Sequence, residues 1–263
     1  MFCPFTIKTS VISQLQRETS SILVVKNGAR NKEYRKAILR SYLNSASGII
    51  DGKTLKELWF PKGRYQVFLS HSHGDIAFAR YFKAWLSYNC GLRCFIDTDV
   101  WENAYDLLYE LDVAYSKKND SPYFSYNRRN HTTAHVYSML TMALFEAIDE
   151  IECPVLIESS NSVTLKEGIE KGTLSPWIYE EVGYMGKLPH NVPDRIKTQC
   201  FSVGRESVIL EKSIRDSLQM THPLDVSGFK SIDKEDLDIM KSYKSVDALD
   251  KLYKRKGLIC PQL

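Results

Sequence analysis

No run in this 263-residue sequence comes near the ~18 consecutive apolar residues that cross a bilayer as a helix. The opening "MFCPFTIKTSVISQLQRE" lacks the basic start and long apolar run of a secretory signal. A cytoplasmic protein with no membrane partner is therefore expected. Charge of one sign is also missing: 35 Lys and Arg stand against 32 Asp and Glu, a net of +3. That balance gives no electrostatic footprint for nucleic acid, and none is expected as a partner. Cysteine is sparse and scattered. Of Cys3, Cys90, Cys94, Cys153, Cys200 and Cys260, only Cys90 and Cys94 lie close together, and no second pair completes a zinc site. Reduced thiols are expected. There is no GxGxxG and no GxxxxGK[ST] loop, which leaves a Rossmann dehydrogenase and a P-loop enzyme unsupported. Repeats and low-complexity tracts are absent. What remains, 43% hydrophobic and 25% charged residues, suits an ordinary globular chain.

Patterning supplies the organisation. Residues 1–61 read as a mostly helical lead-in, with Tyr34, Ala37, Ile38 and Tyr42 near helical spacing, closed by Pro61 and Gly63. "RYQVFLS" (64–70) reads as a buried strand, "IAFARYFKAWLSYN" (76–89) as an amphipathic helix stopped at Gly91, and "LRCFID" (92–97) as a second strand. The aromatic segment 105–131 is too long for an ordinary connection and reads as an insertion with a short helix near 105–115. Six aromatic residues, from Tyr105 to Tyr126, argue for a packed lid or wall over the cleft and against a free linker. A helix at 132–150, a strand at 153–159, a helix opened by Ser175 as N-cap and Pro176 at N1, and a strand at 198–204 follow. Residues 205–263 read as a helical C-terminal addition. Alternating strands and helices predict an open parallel sheet with ligands at the carboxyl ends of its strands.

"RYQVFLSHSHGD", "GLRCFIDTDVW" and "SPWIYEEV", in this order and spacing, resemble the successive boxes of Toll/interleukin-1 receptor (TIR) domains. The resemblance covers roughly residues 62–204. It implies a flavodoxin-like open parallel sheet flanked by helices, with the 105–131 insertion typical of larger bacterial versions and with helical additions at both ends. The third box looks like the Ser-x-Trp-x-x-x-Glu pattern that carries the glutamate of NAD-cleaving TIR enzymes. The implied activity is an NAD⁺ nucleosidase, with NAD⁺ as substrate, no cofactor and no metal. The implied product is an ADP-ribose-derived signal, cyclic where water is kept from the site, for a separate effector in antiphage defence of the Thoeris kind. Self-association through TIR faces is implied too, with Trp101 as an exposed aromatic in the so-called BB loop. The other class of function is a non-catalytic TIR adaptor, which would have no use for an acid in register with Trp177.

The residues themselves speak to chemistry. With Trp177 at 0° on a helical wheel, Ile178, Val182 and Met185 centre near 105°, Glu181 falls at about 40° and Glu180 at about 300°. Glu180 is thus expected in water and Glu181 on the rim of the buried face. A carboxylate there either pairs with a cation or serves a site. Breaking the nicotinamide–ribose bond expels a neutral base and develops an oxocarbenium-like cation, which one fixed carboxylate can stabilise. In "SHSHGD", Ser70 and His71 are candidate ligand contacts, and Asp75 is expected to cap the next helix. His71, His73 and Asp75 are not expected to form a metal site; His131 and His135 read as structural or pocket-lining. Asp97 ends a strand at the ligand edge, and Trp101 and Tyr105 can stack on a ring or pack the insertion. A receiver with Asp97 as phosphoacceptor would need paired acids after the first strand, where this chain has Ser-His-Ser-His.

Overall fold

A computed structural model of the chain describes residues 1–18, 29–45, 49–118, 123–165, 171–197 and 220–259. In chain order the strands are β1 (Phe5–Lys8), β2 (Val67–Ser70), β3 (Cys94–Phe95), β4 (Cys153–Glu158), β5 (Thr164–Leu165), β6 (Lys171–Thr173), β7 (His222–Pro223) and β8 (Lys230–Ile232). The helices are α1 (Thr9–Glu18), α2 (Ala29–Ser45), α3 (Gly52–Trp59), α4 (Ile76–Trp85), α5 (Asp97–Val100), α6 (Ala104–Leu111), α7 (Tyr126–Glu150), α8 (Pro176–Lys187), α9 (Lys234–Met240) and α10 (Val246–Arg255). Two units divide the chain: Met1–Val25, Arg64–Ile96 and Ile148–Leu263 form the first, Lys26–Gly63 and Asp97–Ala147 the second.

The first unit is α/β. Its main sheet is parallel and five-stranded, in the order β3-β2-β4-β1-β8. The inner strands β2 and β4 and the edge strand β3 are short and almost wholly buried, as parallel strands are, β1 is buried up to Lys8, and the edge strand β8 is exposed up to Ile232. On one face Phe5, Ile7, Val67, Leu69, Val155 and Ile157 join α1, α4, α9 and α10 in the main core, through residues such as Ile12, Phe82, Leu237 and Leu252. On the other face Leu156 packs against Ile178 and Val182 of α8. A second sheet, β5-β6-β7, is antiparallel. Such a flanked parallel sheet is compatible with a flavodoxin-like fold.

The expected helix at 76–89 forms as α4 with a π-turn at Leu86–Cys90. Gly91 stops it at φ 66°, a conformation that favours glycine. The expected strands at 64–70 and 92–97 shrink to β2 and β3. The larger difference lies at the N-terminus. Residues 1–61 are not a helical addition outside the sheet, because β1 pairs with both β4 and β8. The four residues of β1 are too few to show periodicity, and helical signal dominates after them. Nor is the C-terminal region an appendage: β8 edges the sheet, and α9 and α10 complete the main core. The expected strand at 198–204 lies outside the described residues.

The second unit is helical among its described residues. Ion pairs tie its helices: Arg40 grips the buried Glu110 through two bonds of 2.7 and 2.6 Å, and Lys36 reaches Asp106 at 3.3 Å. The buried Asp112 accepts from Arg129 Nε at 3.0 Å and from the Thr132 hydroxyl. The 105–131 insertion contributes α6, a π-turn at Asp112–Ser116, a bridge between Lys117 and Phe124, and the start of α7. Among the described residues no helix is long and apolar enough to cross a membrane.

Cys3, Cys90, Cys94 and Cys153 are free and buried. Burial pushes the Cys3 thiol up to about 12 and the Cys90 thiol up to about 11, and raises Cys94 and Cys153 as well. The thiolate is the reactive form. Peptide mapping after brief iodoacetamide treatment at pH 8 is therefore expected to find these four unmodified in the native protein and modified after denaturation.

Candidate functional site

The candidate site is built at the carboxyl ends of β2 and β4. From β2 the chain crosses to β3 on one side, while β4 sits on the other side and leads on towards β1 and β8. The crevice outside such a reversal in strand order is where open α/β sheets place ligands. Ser70 is the last residue of β2 and is 1% exposed.

α8 brings the glutamate. Ser175 caps it, accepting from the Ile178 N–H at 3.3 Å, and Pro176 occupies the first turn. Both features are as the sequence predicts. Ile178, Val182 and Met185 form the buried stripe, and Glu181 is buried with them at 6% exposure. This is deeper than the rim position expected from the wheel. Glu180, expected in water, is half-buried. Trp177 is half-buried on the first turn.

Ser70 and Glu181, 111 positions apart, meet directly: the Ser70 hydroxyl donates to Glu181 Oε2. A buried carboxylate that accepts from a buried hydroxyl has its orientation fixed and part of its desolvation cost offset. His71 is half-buried beside them in sequence, and its Nδ1–H donates to the Leu69 carbonyl at 3.1 Å.

Asp75 corrects an expectation. It stands at the N-cap position of α4 but its side chain does not cap the helix. Instead the buried carboxylate accepts from the Ser159 hydroxyl and from Asn161 Nδ2 at 3.0 Å. Ser159 in turn accepts from the backbone N–H groups of Asn161 and Ser162. The loops after β2 and β4 are thereby stitched together. Gly74 belongs to the stitch, since a Cβ there would lie 3.0 Å from Asn161 Nδ2. Sequence reasoning missed Ser159 and Asn161. The signal was the small polar run "SSNS" following a buried strand. Among the described residues, no group of three His, Cys, Asp or Glu is arranged to hold a metal ion.

Asp97, Trp101 and Tyr105 fall in the second unit. Asp97 opens α5, half-buried, and its carbonyl accepts from the Trp101 N–H at 2.7 Å. Tyr105 is 64% exposed and meets Tyr137 edge-on at 6.5 Å. Trp101 is a correction. It is neither exposed nor open for stacking: it is buried, packs edge-on against Phe60 at 5.4 Å, and donates its indole N–H to the Pro61 carbonyl at 3.1 Å. Self-association through an exposed Trp101 loses the residue from which it was argued. Trp101→Phe is expected to lower the unfolding free energy by about 1 kcal/mol through the lost hydrogen bond. Thermal unfolding measures that change, and an unaltered midpoint would contradict the packing role.

Comparison with protein-family models, with curated proteins and with solved structures finds no match to this chain.

Proposed function

We propose that the chain is an NAD⁺ nucleosidase of the TIR kind, with Glu181 as its catalytic carboxylate. The observation that carries the reading is the buried Ser70–Glu181 hydrogen bond at the carboxyl edge of the parallel sheet. A carboxylate fixed in a poorly solvated place interacts strongly with a cation that develops beside it and needs no reorganisation to do so. The bond from the ribose carbon to the nicotinamide nitrogen breaks with its electron pair going to nitrogen. The base leaves neutral, and the positive charge passes to the ribose. Glu181 stabilises that charge. Water or an acceptor hydroxyl then bonds to the ribose carbon and gives up its proton, whereas an acceptor ring nitrogen bonds through its lone pair and takes over the positive charge. Ser70 holds the carboxylate in place through its bond to Oε2.

The same reading assigns an ADP-ribose derivative as product, in cyclic or linear form, and a signalling role in a bacterial cytoplasm with a separate effector. Nicotinamide release from NAD⁺ by the purified chain tests the activity, and mass spectrometry of the remaining product separates hydrolysis from cyclisation. Activity measured against protein concentration tests self-association, which is expected to make the specific rate rise with concentration. A chain that consumes no NAD⁺ at any concentration would leave the adaptor reading in its place.

A further inference from the structure

We infer that Lys171 and Lys8 form the anion-binding wall of this site and receive the diphosphate of the dinucleotide. The inference rests on the NAD⁺ reading for the identity of the ligand, and on strand register for the position. In β2 and β4, Ser70 pairs with Leu156, and in β1 and β4, Lys8 pairs with Glu158. Partners in register project to the same face of a sheet, as do residues two apart on one strand. The face is identified twice over. Leu156 packs on α8, and the Ser70 hydroxyl reaches Glu181 of α8. Glu158 and Lys8 therefore project on the α8 face, one step closer to the carboxyl edge than Leu156 does. From strand spacing and rise, the Cα atoms of Ser70 and Glu158 are roughly 8 Å apart. A ribose held at Glu181 would carry its 5′-phosphate across such a distance.

Lys171 enters from the small sheet. Its Nζ lies 2.6 Å from Glu158 Oε1. Its strand packs closely on β7: at the next residue, Gly172, a Cβ would meet Thr221 Cγ2 at 2.9 Å and the His222 carbonyl at 3.2 Å. Glu158 accounts for one positive charge, so Lys8, Lys171 and Glu158 together leave an excess of one. A partly exposed ion pair adds little to stability, so the Lys171–Glu158 pair by itself is little reason to bring a second lysine, Lys8, into register beside Glu158. An anion there gives a reason. The diphosphate carries two negative charges and bonds to both lysines. Glu158 keeps Lys171 extended and oriented when no ligand is bound.

The test uses the full chain and has one arm independent of catalysis. Calorimetry measures binding of ADP-ribose, which carries the diphosphate but no scissile bond, to the wild type and to Lys171→Met, Lys8→Met and Lys171→Arg. Charge-assisted bonds of this kind are worth ~1.5–3 kcal/mol, so each Met variant is expected to bind at least about tenfold more weakly, with Lys171→Arg restoring most of the loss. In the kinetic arm, Lys171→Met is expected to lower kcat/KM for NAD⁺ relative to that for nicotinamide riboside by about tenfold or more. The riboside has the same scissile bond and lacks the diphosphate. Circular dichroism checks that the variants are folded. Equal ADP-ribose binding by wild type and both Met variants, or no binding by the wild type, overturns the inference. Lysine-dependent ADP-ribose binding by a chain that releases no nicotinamide would sustain this wall while defeating the proposed cleavage.

Discussion

Glu181→Gln is expected to reduce nicotinamide release from NAD⁺ by about 10³-fold or more, while Glu180→Gln stays within about threefold of the wild type. The first figure follows from what preorganised charge is worth in a water-poor site. The amide keeps the size of the side chain and loses the charge that faces the developing cation. Glu181 is 6% exposed, whereas Glu180 is only half-buried on the same helix, so the pair isolates position from composition. Ser70→Ala tests the other end of the hydrogen bond. Ser70 acts through Glu181 and is a positioning residue; its loss is expected to lower kcat by about 10- to 100-fold with a smaller change in KM. Ser70→Thr, which keeps the hydroxyl, is expected to recover most of that loss. A merely structural serine would show a lowered unfolding midpoint and no such rescue in kcat. Equal rates from the wild type and the Glu181→Gln variant would sink the assignment outright.

The legible parts of this site were those written in local code. Ser175, Pro176 and the stripe Ile178, Val182 and Met185 announce where α8 begins and which way it faces, because capping and periodicity are short-range properties. The wheel therefore separated Glu181 from Glu180, though it put Glu181 at the rim and not inside. Depth depends on what lies across from the helix, and that is Ser70, far away in the chain. The alternation of strands and helices likewise pointed to a parallel sheet, yet gave no hint that β1 belongs between β4 and β8. Strand order is a matter of long-range pairing, to which propensity and spacing are blind. Trp101 shows the same limit from the other side. An indole in a polar stretch reads equally as stacking on a ring or as packing the insertion, and only the structure, with Phe60 and the Pro61 carbonyl engaging it, decides for packing. Asp75 was assigned to the cap by its position, but two partners from the loop after β4 compete for its carboxylate and hold it.

Phe5→Ala combined with Ile7→Ala is expected to unfold the first unit at room temperature. Both side chains are fully buried at 0% exposure and belong to the main core with α1, α4, α9 and α10. Truncating a buried Phe costs about 3–5 kcal/mol and a buried Ile about 2–5 kcal/mol, through lost transfer energy and the cavity left behind. Their sum rivals the roughly 5–15 kcal/mol that holds a whole domain folded. The position of the strand adds to the effect. β1 hydrogen-bonds β4 on one side and β8 on the other, so loosening it exposes two strand edges and detaches β8 from the sheet. Ile49→Ala is the matched control, because Ile49 is fully exposed at 100% and its truncation is expected to change stability by less than about 0.5 kcal/mol. Urea unfolding followed by circular dichroism distinguishes the two views of the N-terminal region. If residues 1–18 were an addition to an independently folded sheet, the double variant would keep the wild-type midpoint and lose only a local signal. With β1 inside the sheet, the whole transition of the first unit shifts to lower urea or vanishes, and Glu181-dependent activity goes with it, because β4 and α8 rest on the same sheet that β1 completes.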